Sequence, residues 1–224
     1  MNRSLVAALI QKDWYFNRWP IAAYGALGLA AAWGLGLPSE TAFFASGVLL
    51  ITALISIGIH LTMVTVVYER QQQTLAFVMS LPVSPRQYTL AKLAANLAIF
   101  GTAWAAITLA TVAVIAHRSW VPDGLIPYAL TILLQLFVGY LLTLSVAIVS
   151  ESMAWTIGAI VVGNLLVQAV MFTLGRVPAV AAVLKTDTVR WAAPIPTILA
   201  TEVAVMVVLV ALTFWLQSRK TDFL

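Results

Sequence analysis

The sequence predicts an all-α integral membrane protein: six transmembrane helices, an N-terminal interfacial helix, and a cytoplasmic helical passage between spans two and three. Three observations predict it. Hydrophobic residues fill 62% of the 224 positions and charged residues 9%, with a mean hydropathy of +0.99. That is too apolar for a soluble core of this size and too poor in charge for a soluble surface. Long apolar runs recur, each near or above the ~20 residues that carry a helix across a bilayer. Polar residues gather where the runs end, and no alternating barrel pattern is present.

The runs are Trp19–Pro38, Thr41–Tyr68, Leu93–Ala116, Gly124–Ser150, Ser152–Leu174 and Pro196–Gln217, the last broken by Glu202. No internal repeat or low-complexity linker divides them, so residues 1–224 read as one domain. With the N-terminus inside, the inner segments hold Arg3, Lys12, Arg18, Arg70, Arg86, Lys92, Arg219 and Lys220, and the outer ones Arg118, Arg176, Lys185 and Arg190. The bias of basic residues places both termini in the cytoplasm.

Residues 1–18 read as an interfacial helix. Leu5, Leu9 and Phe16 lie near one another on a helical wheel, Lys12 and Asp13 spoil a clean face, and Trp14, Tyr15 and Trp19 suit headgroup depth. The same two charges interrupt a stretch already too short for a signal peptide. The connection Arg176–Arg190 and the prolines Pro178, Pro194 and Pro196 fit either a re-entrant element or a plain surface loop.

Composition excludes several chemistries. The net charge of +4 comes from twelve Lys and Arg scattered at span ends, with no stripe to follow a phosphate backbone, so nucleic acid is not an expected partner. The absence of cysteine removes thiolate and Cys-ligated metal chemistry. No carboxylate pair, HExxH or Ser/His/Asp set appears, so neither a catalytic nor a metal site is expected.

The one sizeable polar passage is Glu69–Lys92, ERQQQTLAFVMSLPVSPRQYTLAK. Its first helical piece covers about 70–79 and stops where Pro82 disfavours helix at Leu81. Ser84-Pro85-Arg86-Gln87 then supplies a helix start, with Ser as N-cap, Pro at the first helical position and Gln three residues after the cap. A short helix, a kinked turn and a second helix entering span three make a rigid elbow. A solvated loop is the plainer reading, but it leaves the two helix signals and the apolar Leu81 and Val83 unexplained.

This passage resembles the coupling region of type-2 ABC transporter permeases. The matching residues are Glu69, Thr74, Leu75, Leu81, Pro82, Val83, Ser84, Arg86 and Lys92; the chain has Gln73 where the family often has glycine, and Pro85 between serine and arginine. The resemblance implies a half-transporter of a bacterial cytoplasmic membrane, with 69–92 holding a coupling helix that docks on a separate ATPase subunit. A second permease copy, as a homodimer or with a similar chain, would complete the pathway. Arg70 and Glu151, the latter in the turn before span five, are further contact candidates. ATP and Mg would be bound by the partner, since none of Lys12, Lys92, Lys185 and Lys220 sits in a phosphate-loop context. The chain itself would then need no cofactor and would not be an enzyme. Short external connections favour export, of a hydrophobic or amphipathic peptide, antibiotic or lipid-like molecule.

Polar residues inside the spans are the other candidates, because a charge at mid-bilayer costs roughly 2.5–3.5 kcal/mol on insertion scales. Glu202 precedes sixteen uncharged residues, about 24 Å of helix, so it lies in the outer part of its span. It fits an interfacial carboxylate, a partner of Arg190, or part of an outer gate. His60, Gln135 and Asn164 fit structural hydrogen bonds or a pathway lining. An ATP-independent transporter or channel using His60 and Glu202 is the rival to the ABC reading.

Overall fold

The structure, a computed structural model, describes residues 3–71 and 85–219. Among them every regular element is helical: α1 (Arg3–Gly34), α2 (Glu40–Thr62), a π-helical turn (Met63–Val67), α3 (Tyr68–Gln71), α4 (Pro85–His117), α5 (Leu125–Ser150), α6 (Met153–Leu174), α7 (Pro178–Ala181) and α8 (Pro194–Ser218). Five stretches are long and apolar enough to cross a bilayer: Glu40–Val67, Thr89–His117, Leu125–Ser150, Met153–Leu174 and Pro194–Ser218. The chain is a multi-pass membrane protein.

α1 departs from the expected division. It runs unbroken from Arg3 to Gly34 with Pro20 inside it. The surface helix expected over residues 1–18 and the span expected from Trp19 therefore share one element, and α1 is not among the five stretches.

Local chemistry sets most boundaries. The Ser39 hydroxyl caps α2 by accepting from Ala42 N–H at 3.4 Å, and Glu40 occupies the first turn, where a carboxylate favours the helix dipole. Pro85 opens α4 as its fixed φ favours. Between α5 and α6 the turn is two residues long, and Glu151 takes it in the left-handed region at φ 58°, a conformation that is uncommon outside glycine.

α5 is the hub, packing on α2, α4, α6 and α8, while α1 lies against α2 and α4. Fully 72% of the most apolar window of α5 is buried, against 11% of that of α8, so α8 turns most of its surface outward. Phe100 of α4 stacks on Tyr140 of α5 at 3.9 Å, with Phe137 edge-on at 5.2 Å. Gly139 of α5 meets Gly163 of α6 with no side chain between, a Cβ added to either lying 3.5–3.8 Å from the other's Cα.

The helices alternate in direction, which defines two ends. The proximal end holds Glu69, Lys92, Glu151 and Arg219; the distal end holds 35–40, 117–125 and 174–194. Arginines stack on aromatic rings at both: Arg18 on Tyr15 (4.1 Å) and Arg219 on Trp215 (4.0 Å), then Arg118 on Trp33 (4.9 Å) and Arg176 on Phe172 (3.5 Å). Such rings of amphipathic side chains suit the two edges of a hydrocarbon slab. The connection after α6 is a packed cap. Val180 and Ile195 are fully buried in it beside Leu174 and Ala192, and Gly124 N–H donates to Thr186 O at 2.9 Å. A Cβ at Gly124 would lie 1.9 Å from Val183 O, so only glycine admits this approach.

Candidate functional site: a buried charge junction

Three helices meet at the proximal end, each presenting two polar residues four positions apart: Asp13 and Asn17 from α1, Thr65 and Glu69 from the π turn and α3, Lys92 and Asn96 from α4. Four residues is about one helical turn, so each pair shares a face. Together they build two layers, an outer one of charges and a deeper one of amides and a hydroxyl.

In the outer layer Lys92 Nζ lies 2.9 Å from Asp13 Oδ2 and 2.6 Å from Glu69 Oε2. Lys12 bonds the other Glu69 oxygen and stands 3.6 Å from Asp13 Oδ1. Among the described residues, two ammoniums face two carboxylates. Lys92 and Asp13 are 3% and 4% exposed at their side chains and Glu69 10%, whereas Lys12 keeps 37% in contact with solvent. Burying a lone ion costs several kcal/mol, so these charges are tolerable only as a set.

The balance shows in the titration of the two outer members. Burial pushes the Glu69 carboxyl up, but Lys92 and Lys12 outweigh it and hold the group below the usual glutamate range. Burial pulls the Lys12 ammonium down, yet the Glu69 hydrogen bond and charge, aided by Asp13, leave it above the usual lysine value.

In the deeper layer Asn96 Nδ2 donates to Lys92 O and to Thr65 Oγ1, both at 2.9 Å, and Tyr140 OH donates to Asn96 O at 3.1 Å. Thr65 stands in the π turn and donates to Leu61 O at 2.7 Å. One-turn π segments occur frequently at functional sites, because the extra residue rotates the next turn of helix onto a new face. On α1, Asn17 Nδ2 donates to Asp13 O at 2.7 Å. Asn17 Oδ1 then faces His60 Nε2 at 3.2 Å, so that nitrogen must bear the hydrogen of the bond.

The positions singled out by sequence are spread over both layers and beyond them. Glu69 is central to the junction. Arg70 and Arg86 lie in the first turns on either side of the polar passage, in α3 and α4. Thr74, Leu75, Leu81, Pro82, Val83 and Ser84 lie outside the described residues. Glu151 caps α5. His60 joins the inner edge of the junction through Asn17. Gln135 is buried on α5. Asn164 lines a small cavity of about 40 Å³ with Gly58 and Tyr140, and donates to Ile160 O at 2.8 Å.

Glu202 is only 5% exposed, and neither carboxylate oxygen has a hydrogen-bond partner among the described residues. Pairing with Arg190 is not found: Arg190 is exposed and donates to Thr188 Oγ1 at 3.3 Å. Glu202 sits about 12 Å along α8 from its distal start, whereas His60 lies near the proximal end of its span. Among the described residues no hydrogen bond or ion pair joins them, so they do not form one site.

Sequence inspection passed over Asp13, Asn17, Thr65 and Asn96. Their signal was the repeated four-residue spacing at 13/17, 65/69 and 92/96. No protein-family model matches the chain, and no curated protein or solved structure matches it.

Proposed function

We propose that the chain is the membrane permease subunit of an ATP-driven exporter of the type-2 ABC class. It would be energised by a separate ATPase and act as a homodimer in a bacterial cytoplasmic membrane, with both termini inside. The second half of α1 would be the first of six spans, and the passage 69–92 would hold the coupling helix. The observation supporting this reading is the charge junction at the roots of that passage. Glu69 opens it, Lys92 ends it, and the two are paired at 2.6 Å and tied to α1 through Asp13 and Lys12. The helices at its two roots, α3 and α4, are thus tied to each other and to α1. A push reaching those roots would be passed to α1, α2 and α4 together, as a handle for a soluble motor requires. Cargo of hydrophobic or amphipathic character fits spans whose polar residues are few.

The test is co-expression with a candidate ATPase. Pro82→Glu and Arg86→Glu are expected to abolish the complex, or uncouple hydrolysis, while the spans still insert. Intact coupling in both variants overturns the proposal. So does labelling of Val83→Cys from outside intact cells, a clean probe in a chain with no native cysteine.

The unpartnered carboxylate of Glu202 favours a second reading, an ATP-independent transporter or channel. Transport driven by a proton gradient without any ATPase, and lost in Glu202→Gln, would establish it over the first.

A further inference from the structure

The distal half of the bundle encloses a second feature, independent of the exporter proposal: a cavity of about 300 Å³ between α2, α4, α5 and the last turn of α6. Phe43, Ile51, Ile115, Leu133 and Met171 form its walls. Its polar lining groups are already engaged. Thr111 donates to Ile107 O at 2.8 Å and Tyr128 to Met171 O at 3.3 Å. A trapped water needs two to four polar partners, and an apolar cavity of about 150 Å³ stays dry and takes up benzene. This one has twice that volume. From Phe43 to Ile51 it runs along α2 for about 12 Å, the shape of a chain segment rather than a disc. Phe44 and Val48 line it and are also exposed, 69% and 64%, so it opens sideways where lipid lies.

A cation lies close to its distal end. Arg118 lies one turn beyond Ile115 on the same face of the chain, and its stem passes Gly36, next to the cavity-lining Leu35. Among the described residues no carboxylate comes within 4 Å of its guanidinium, which rests on the Trp33 ring. Glu40 and Asp123 also belong to the distal end. Arg118 combines a place one turn beyond the lining Ile115 with the planar fork that pairs with phosphate.

We propose that this cavity binds one acyl tail of an anionic phospholipid, with the lipid phosphate held by Arg118. The experiment reconstitutes the full chain in phosphatidylcholine nanodiscs with a minor fraction of phosphatidylglycerol carrying a diazirine in its tail. Cross-links are mapped by mass spectrometry. They are expected to concentrate on 43–51 and 111–133. Gly47 lines the cavity, and a side chain there meets nothing within 4 Å. Gly47→Leu should lower labelling about tenfold, the loss of burying roughly two methylenes of tail. Gly158 is equally open but outside the cavity, and Gly158→Leu should leave labelling unchanged. Arg118→Gln should reduce phosphatidylglycerol labelling to that of the matching phosphatidylcholine probe. Tryptophan-fluorescence melts report folding, and Val48→Trp replaces Gly47→Leu if the latter does not fold. Labels spread evenly over the outer faces of α6 and α8, or equal losses in the two glycine variants, overturn the proposal. So does a change of dimer fraction in Gly47→Leu with labelling unaltered, which would assign the cavity to a second copy of the chain.

Discussion

At the proximal end four buried or half-buried charges stand within ion-pairing distance of one another; in the distal half of α8 one carboxylate is buried with no partner among the described residues. Glu69 and Glu202 are the same residue under opposite treatment. Glu69 is supplied with two ammoniums by helices distant in sequence. Glu202 shares a narrow stripe with Ile195, Thr213 and Gln217 on an otherwise outward-facing helix. The difference separates a group that holds the bundle together from one that the bundle tolerates. Removing a partner should hurt at the first, and removing the carboxylate itself should help at the second.

The largest effect belongs to Lys92. Lys92→Met takes from Asp13 and Glu69 the ammonium that lies 2.9 and 2.6 Å from them, and breaking a buried pair in this way costs about 3–5 kcal/mol. Tryptophan-fluorescence melts in detergent should show a drop on the order of 10 °C. Adding Asp13→Asn should restore part of the loss. A variant as stable as the parent would mean that the junction contributes no stability.

Glu202→Leu sharpens the contrast because its sign is reversed. An unsatisfied buried polar group costs about 1–3 kcal/mol, so the apolar replacement should raise the melting temperature by several degrees. Higher stability with lost transport would mark Glu202 as a group retained for function.

Titration distinguishes the regions further. Glu69 titrates below its usual value near 4.3 in the folded chain, so its stabilisation is complete above that pH and disappears as pH falls through the lower folded value. Lys12 titrates above its usual value near 10.4, so its share is complete below that pH and is lost as pH rises through the higher folded value. The share of stability from Glu69 and Lys12 is therefore level between about pH 5 and 9. The gap in melting temperature between the parent and Glu69→Gln should close in acid.

Most of the fold was legible because charge-free runs report the spans directly. The expected Thr41–Tyr68, Gly124–Ser150 and Ser152–Leu174 differ from the observed Glu40–Val67, Leu125–Ser150 and Met153–Leu174 by a residue or so at each end. The proline of the expected helix start, Pro85, is the first residue of α4. The junction was much less legible. Lys12 and Asp13 looked like defects in an amphipathic face, because their partners are 57 and 79 residues away. Pairing over that distance is a tertiary fact with no local signature. The π turn at Met63–Val67 was hidden in a β-branched run that reads as ordinary helix. Glu202 stands about 12 Å from the start of α8, a position its run implied, yet its lack of a partner among the described residues depends on which face α8 buries.

The smallest expected effect lies at the junction's inner edge. His60 touches the polar network only through Asn17, at 3.2 Å, and Asn17 keeps its bond to Asp13 O when the ring is removed. His60→Leu therefore forfeits one hydrogen bond and strands one amide oxygen, about 1 kcal/mol and a fall of roughly 2–4 °C in the melting temperature. Under the exporter proposal, ATP-driven transport by this variant should remain near the parent's, because His60 is neither clamped to the passage nor near Glu202. Complete loss of transport at unchanged stability would move His60 into the pathway and shift the balance to the ATP-independent reading. An intermediate loss that tracks the melting temperature would instead show that the amide layer works only by stiffening the charges above it.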